Sequence, residues 1–261
     1  MNLFGLIGYP LTHSFSKGYF TEKFQNLGIA DTHGYEKFEM QNIEDFSELI
    51  QNNPDLRGLN VTIPHKQNVI GFLDEIEDSA KKIGAVNVVK VLPDNRLKGY
   101  NSDYYGFKNS LEEWFVTPDR DLPSDVLNPV RGLSAKALVL GDGGAARAIK
   151  VALEDLGIEF KVVARRRITD ETILFEELTE EIIKTHQLII NTTPLGTFPK
   201  VEECPEIPYQ FLTENHYLYD LIYNPAETLF MKKGLEKGAK AMNGLRMLHL
   251  QAEKSWEIWN E

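Results

Sequence analysis

Residues 137–156 constrain the fold of this chain more than any other stretch. Ala137-Leu138-Val139-Leu140 is a short apolar run, Gly141-Asp142-Gly143-Gly144 follows it, and Ala145 to Leu156 carries apolar residues at helical spacing. A buried strand, a glycine turn and a helix in that order open a βαβ unit. The strand of such a unit pairs in parallel, and a parallel sheet is covered on both faces. Glycine permits the tight turn and the close approach of a ligand to the backbone. The first N–H groups of the helix are then offered to an anion such as a pyrophosphate. The pattern Gly141-x-Gly143-Gly144-Ala145-Ala146 also fits an ordinary glycine turn; its strand–helix context favours the nucleotide loop.

The same alternation runs through the rest of the chain. Upstream, strands are expected at Leu3 to Ile7, Tyr35 to Met40 and Gly58 to Thr62, with helices at Ser16 to Leu27, capped by Ser16, and at Ile43 to Gln51. Val86 to Val91 and Leu97 to Tyr100 read as a hairpin around Pro93-Asp94-Asn95, and Asp103 caps a helix reaching Phe115. Thr117 to Ser134 is polar, contains Pro118, Pro123 and Pro129, and reads as a surface loop. Downstream, strands are expected at Phe160 to Ala164, Leu188 to Asn191 and Tyr217 to Leu221. Helices follow at Glu227 to Lys237 and Leu245 to Trp259. The order implies an α/β protein with mostly parallel, covered sheets.

Composition excludes several classes. Hydrophobic residues make up 42% of 261, enough for a core. The net charge of −11 argues against nonspecific nucleic-acid binding, which needs a basic face. The single Cys204 cannot form an internal disulfide, sits among acidic neighbours that disfavour a thiolate, and fits a reducing cytoplasm. No run reaches the ~20 apolar residues of a membrane helix, and no signal peptide is visible at Met1. No His/Cys/Asp/Glu cluster has metal-ligand spacing.

Four groups of residues carry chemistry. Lys66 ends Asn60-Val61-Thr62-Ile63-Pro64-His65-Lys66, and Asp103 follows 37 residues later in Asn101-Ser102-Asp103. An ammonium and a carboxylate can move a proton to or from an oxygen while a nucleotide delivers a hydride, so a carbonyl–alcohol oxidoreductase leads. Arg165, Arg166 and Arg167 close the second strand after the glycine loop, where an NAD site places an acidic residue on the ribose hydroxyls. Guanidiniums there suit a 2′-phosphate, or are only a solvated basic turn. Ser14 and Ser16 suit a carboxylate near a helix N-terminus, although serines at such positions are more often caps, and His13 suits a structural hydrogen bond. Asn191-Thr192-Thr193-Pro194-Leu195-Gly196 lies at the C-terminal end of a strand, where open α/β sheets bind ligands.

Taken together these segments resemble the shikimate dehydrogenase family over nearly the whole chain. Gly8-Tyr-Pro-Leu-x-His-Ser14-x-Ser16, Asn60-Val-Thr62-Ile-Pro-His-Lys66, Gly84-Ala-Val-Asn87 and Asn101-Ser-Asp103 are similar to its substrate-side motifs. Asn191-Thr192-Thr-Pro-Leu-Gly196 and Asp220-Leu-Ile-Tyr223-Asn-Pro225 are similar to its cofactor-side motifs, and Gly244-Leu-Arg-Met247-Leu-x-x-Gln251-Ala252 to its C-terminal one. The resemblance implies an N-terminal α/β substrate domain of residues 1–102 and 243–261 and a Rossmann-like parallel-sheet cofactor domain of residues 103–242. The active site would lie in the cleft between them. It implies reversible, NADPH-dependent reduction of 3-dehydroshikimate to shikimate, in aromatic amino-acid biosynthesis, by a cytoplasmic monomer or homodimer that binds neither nucleic acid nor membrane.

In the roles so implied, Lys66 and Asp103 are catalytic, and Ser14, Ser16, Asn60, Thr62, Asn87, Tyr223 and Gln251 hold substrate. Gly141, Gly143, Gly144, Ala145, Arg165, Arg166, Thr192, Gly244 and Met247 hold NADP. Ala164-Arg165-Arg166 stands where the family often has Asn-Arg-Thr, His249-Leu250 replaces a smaller pair, and Thr117 to Ser134 is longer than the pattern. Asp142 in the glycine loop is expected to turn its carboxylate away from a pyrophosphate. The alternatives are an NAD-dependent quinate/shikimate dehydrogenase, which calls for an acidic residue after the second cofactor strand, and a noncatalytic nucleotide sensor, which calls for loss of Lys66 or Asp103.

Overall fold

A computed structural model of the protein describes residues 1–11, 14–115 and 136–261. The Thr117 to Ser134 segment and His13 lie outside the described residues. The chain divides into two compact units, Met1–Ser102 with Gln251–Glu261, and Asp103–Leu250. Residues 243–250, expected with the first unit, cluster with the second.

The first unit is a six-stranded sheet of β1 (Asn2–Gly8), β2 (His33–Glu39), β3 (Leu56–Val61), β4 (Glu75–Ile76), β5 (Val88–Val91) and β6 (Leu97–Tyr100), in the order β2-β1-β3-β5-β6-β4. β1 runs parallel to β2 and β3; β5 is antiparallel to β3 and forms the expected hairpin with β6. The helices are α1 (Phe15–Asn26), α2 (Phe46–Asn52) and α3 (Asp78–Ile83). Alternate residues of β1 feed two cores. Ile7 packs with Leu59, Val61, Val86 and Val89, whereas Phe4 and Leu6 pack with Phe20, Phe24, Tyr35 and Val88.

Several boundaries differ from expectation, each for a local reason. The N-cap of α1 is Ser14, whose hydroxyl accepts from the Lys17 N–H, and not Ser16. The expected helix from Ile43 is a 3₁₀ turn, Ile43–Asp45, leading into α2. β4, α3 and the 3₁₀ turn Asn68–Phe72 carry too few residues to show a period in the sequence. α3 is made by its caps instead: the Glu77 carboxylate accepts from the Ser79 and Ala80 N–H groups, and Gly84 ends it at φ 68°.

The second unit is a six-stranded, all-parallel sheet of β7 (Ala137–Leu140), β8 (Phe160–Ala164), β9 (Ile173–Leu174), β10 (Leu188–Asn191), β11 (Tyr217–Asp220) and β12 (Lys240–Met242). Its order is β12-β11-β10-β7-β8-β9. α4 (Ser102–Phe115), α5 (Gly144–Leu156), α6 (Glu180–Thr185), α7 (Leu229–Leu235) and α8 (Leu245–Asn260) complete the helices. Ala137 and Val139 face one core, Leu138 and Leu140 the other. Burial on both faces is why β7 reads as an unbroken apolar run. α4 starts at Ser102, so Asp103 lies in its first turn and does not cap it, and α5 starts at Gly144. α7 is shorter than expected because Thr228 caps it, accepting from the Met231 N–H.

The C-terminal part of α8 belongs to the first unit, and one residue fastens it. Trp259 is stacked on Phe4 at 4.8 Å between ring centroids and donates from Nε1 to the Val89 carbonyl at 3.1 Å. The ring lies against the backbone of β3 at Gly58, where a Cβ would fall 2.2 Å from Nε1. Gly58→Ala should therefore lower stability by about 1–3 kcal/mol, the usual cost of overpacking. A chemical-denaturation curve superposing on wild type would show that the indole is not held there.

Candidate active site

In the first unit, a buried polar network joins the sheet to α8. The Tyr35 hydroxyl donates to Asn60 Oδ1 at 2.7 Å, and Asn60 Nδ2 donates to Ser255 Oγ at 3.0 Å. Asn87 Oδ1 accepts from the Ser102 N–H at 2.7 Å, while Asn87 Nδ2 donates to Ser102 Oγ at 3.1 Å. Ser102 Oγ lies 3.3 Å from both Gln251 Oε1 and Ser255 Oγ. Asn60, Asn87, Ser102 and Ser255 are all buried, and burial raises the Tyr35 phenol far above its ordinary range, against a hydrogen bond with Ser16 that lowers it. The structure thus joins Asn60, Asn87, Gln251 and, through Tyr35, Ser16. Tyr35, Ser102 and Ser255 were not nominated from sequence. Ser102 sits inside the Asn101-Ser102-Asp103 motif and Ser255 is one helical turn beyond Gln251, so both had a positional signal; Tyr35 had none.

Lys66 is half-buried, on a turn whose backbone is fixed from several directions. The Thr62 N–H donates to the Ile7 carbonyl at 2.9 Å, the Tyr9 N–H to Ile63 at 3.0 Å, and the Val86 N–H to the Lys66 carbonyl itself at 2.7 Å. The ring of His65, immediately before it, is buried and bonds through Nε2 to the Met40 carbonyl at 2.6 Å. These ties set where the lysine stem leaves the backbone. Thr62, Ser14 and Ser16 are half-buried, and Ser14 is engaged as the α1 cap. Asp103, half-buried in the first turn of α4, opens the second unit.

In the second unit, Gly141 leaves β7 at φ 103°, and its backbone runs so close to the next crossover that a Cβ would lie 3.0 Å from Thr192 Oγ1. Thr192 is pinned there by two bonds to the Leu140 carbonyl, from its N–H at 3.0 Å and its hydroxyl at 2.7 Å. Gly143 is the N-cap of α5 with no side-chain cap, and a Cβ on Gly143 or Gly144 would meet nothing. The first turn of α5 thus has no side-chain cap and an exposed glycine backbone, as an anion site at a helix N-terminus requires. The Asp142 carboxylate is paired with Lys150 at 2.5 Å, one face along α5.

The arginines after β8 separate into two kinds. Arg167 is committed to its own loop, through an ion pair with Glu177 and a bond to the Thr172 carbonyl at 2.9 Å. Arg165 and Arg166 are exposed and make no ion pair among the described residues. Arg165 also lines a pocket of about 570 Å³ with Leu195, Cys204 and Lys233. Tyr223 is exposed just after β11. Gly244 donates its N–H to the Ile222 carbonyl at 3.0 Å, and a Cβ there would sit 2.1 Å from the Leu221 carbonyl oxygen, so only glycine fits. Met247 is buried in the core with Phe107 and Tyr219. Asp220, unpredicted from sequence as a titrating group, is fully buried; burial pushes its carboxyl up to about 6 despite hydrogen bonds from Thr228, the Ile222 N–H and Asn191. Among the described residues no cluster of His, Cys, Asp or Glu could hold a metal, and no helix is long and apolar enough to cross a membrane.

Residues 6–89 match the family model described as the shikimate dehydrogenase substrate binding domain. The chain is 39% identical, over 100% of its length and 93% of the relative's, to an NADP(+) shikimate dehydrogenase of Clostridium beijerinckii. It is similar to the crystal structure of shikimate dehydrogenase from Aquifex aeolicus, with a TM-score of 0.82 and 33% identity, covering 100% of this chain and 92% of that one. It is likewise similar to the Thermus thermophilus shikimate 5-dehydrogenase solved in complex with NADP(H) and shikimate, with a TM-score of 0.80 and 29% identity over 99% of this chain and 93% of that one. With full-length identity above a third, and its glycine loop, lysine motif and C-terminal glutamine all in place, the chain belongs to the shikimate dehydrogenase family.

Proposed function

We propose that this protein catalyses the reversible, NADPH-dependent reduction of 3-dehydroshikimate to shikimate. The observation that carries the reading is the full-length likeness to an NADP(+) shikimate dehydrogenase in a chain that keeps both Lys66 and Asp103. Bound NADPH would supply the hydride for the C3 carbonyl carbon, and the carbonyl oxygen takes up a proton to become the alcohol. Lys66 gives that proton or stabilises the developing alkoxide, and Asp103 hydrogen-bonds the reacting oxygen and orients the ammonium. The fixed backbone around Lys66 supports this role, because a positioned acid must hold its geometry as charge develops.

Ser14 and Ser16 hold the substrate carboxylate, and Asn60, Thr62, Asn87 and Gln251 read the ring hydroxyls, with Tyr223 toward the nicotinamide end. The network behind Asn60 and Asn87 supports their part: each already spends polar atoms on Tyr35, Ser102 and Ser255, so each amide is fixed in orientation. In the second unit, Gly141, Gly143, Gly144 and Ala145 carry the pyrophosphate, with Thr192 and Gly244 shaping the neighbouring strand ends. Met247 contributes by packing beneath them, since its side chain is in the core. Arg165 and Arg166 take the 2′-phosphate, because Arg167 is committed to Glu177. The protein works on small molecules in the cytoplasm, as a monomer or homodimer.

Lys66→Ala should lower kcat about 10²- to 10⁴-fold, the usual worth of a positioned acid or base, with a smaller change in KM for shikimate and none in NADP affinity. Steady-state kinetics plus nucleotide binding on one folded mutant check this; a rise in KM at constant kcat would reduce Lys66 to a binding group. Changing Arg165 and Arg166 together to Ala should weaken NADP by about 1.5–3 kcal/mol for each charged hydrogen bond lost and leave NAD nearly unchanged. Equal wild-type efficiency with NADP and NAD overturns that assignment. Ser16→Ala should raise KM for shikimate; Ser14→Ala should do the same and also lower the melting temperature, because it removes the α1 cap. Unchanged KM in both serine variants would place the carboxylate elsewhere.

A further inference from the structure

Asp220 ends β11 and is 0% exposed. Its three hydrogen bonds come from neutral donors: the Asn191 amide at 3.0 Å, the Ile222 N–H at 3.1 Å and the Thr228 hydroxyl at 2.6 Å. It makes no ion pair among the described residues. β10 carries no charged residue. On α7, Lys232 is exposed, and Lys233 lies 4.9 Å over the Tyr209 ring and 3.3 Å from Cys204 Sγ. On β12, Lys240 lies 4.8 Å over the Tyr217 ring, and Glu227 beside Thr228 is exposed. Tyr209 senses Asp220: burial, then Cys204 and then the Asp220 charge push its phenol up.

A carboxylate buried without a cation is held against its own stability. With its carboxyl raised to about 6, Asp220 is ionised at neutral pH. The sign follows from the raised value: the charge costs no stability below the unfolded value of ~3.9, and the cost is complete once pH has risen through the folded value. A charge kept at such a cost, at the C-terminal end of a strand in a ligand-binding sheet, calls for a use.

The sheet order supplies one. In an open parallel sheet of this order the pyrophosphate sits at the N-terminus of the helix after the first strand, here α5, and the adenosine ribose reaches the end of the second, here β8. β8 lies on one side of β7, and β10 and β11 on the other. The nicotinamide half of the dinucleotide is then directed toward the ends of β10 and β11, where Asn191 and Asp220 stand. Oxidation and reduction change the charge of this ring: it carries one positive charge in NADP+ and none in NADPH.

We propose that the buried Asp220 carboxylate is a counter-charge for the oxidised nicotinamide, biasing the site toward NADP+ over NADPH. Asn191, Thr228 and the Ile222 N–H keep it ionised and oriented. The inference rests on the second unit holding NADP.

The experiment measures the dissociation constants of NADP+ and NADPH separately, on the full chain without substrate, for wild type and Asp220→Asn, well below and well above pH 6. The expected result is a wild-type preference for NADP+ at the higher pH that falls about tenfold at the lower one, one pKa unit's worth of interaction. In Asp220→Asn the ratio of the two constants should take the lower value at both pH values. The 2′-phosphate also titrates near ~6 but is common to both nucleotides, so the ratio removes it. A purely structural Asp220 would weaken both nucleotides together and leave the ratio unchanged, which overturns the inference. If the variant does not fold, the wild-type series decides alone: a ratio independent of pH overturns it. Tight binding of both nucleotides with an invariant ratio fails this inference only, whereas binding of neither fails the NADP reading and this inference with it.

Discussion

β7 and β10 lie side by side and parallel, and from that seam the chain winds outward in both directions, to β8 and β9 on one side and to β11 and β12 on the other. The loops that leave the two strands must therefore diverge, and the space between them is the place where an open parallel sheet can admit a ligand. Thr192 fastens the seam by returning both its N–H and its hydroxyl to the Leu140 carbonyl. That bond brings the β10 loop against Gly141, where no side chain larger than hydrogen fits beside it without crowding. The glycine loop is thus shaped by a neighbour some fifty residues away, and its open face toward the α5 N-terminus is what remains once the other side is filled.

The first unit solves a different problem. Two amides, Asn60 and Asn87, are buried in it and held in one orientation, and an unsatisfied buried amide is costly. Asn60 and Asn87 are satisfied by one another's surroundings: Tyr35 from β2, Ser102 from the entrance to α4, and Ser255 from the end of α8. Trp259, one turn further along α8, locks the same helix to β5 with a hydrogen bond and to β1 by stacking. Packing and polar satisfaction therefore reinforce one another here. A helix that arrives from the far end of the sequence completes both the core and the network.

Asp220 shows the opposite balance. The network around Asn60 pairs every group that it buries, but Asp220 is buried with neutral donors only, and its raised carboxyl records the unpaid part of that desolvation. Around it are tied the end of β10, the segment after β11 and the start of α7, which are also the segments that carry Thr192 and Tyr223. Stability and function pull apart at this residue, as they do wherever a site keeps a charge that its fold would do better without.

Local pattern was enough to determine the strands buried on both faces and the loops next to them. Ala137–Leu140 and Leu188–Asn191 run between the bounds their apolar runs mark, because a strand covered on both sides has no polar face to blur its ends. The glycine loop, the lysine turn and the arginine cluster were also legible, since each is a short run of residues whose conformation or charge is intrinsic. Short elements with no room for a period, such as β4, β12 and α3, were not. Nor were the identities of partners: that Ser14 and not Ser16 caps α1, that Asp142 pairs with Lys150, that Arg167 is spent on Glu177, that Met247 lies in the core, and that Asp220 is sealed from water. Asn60 and Ser255 stand 195 residues apart in the chain and 3.0 Å apart in the fold. Periodicity reports which face of an element is buried, but which group meets which depends on strand order and helix packing, and those exist only once the tertiary structure has formed.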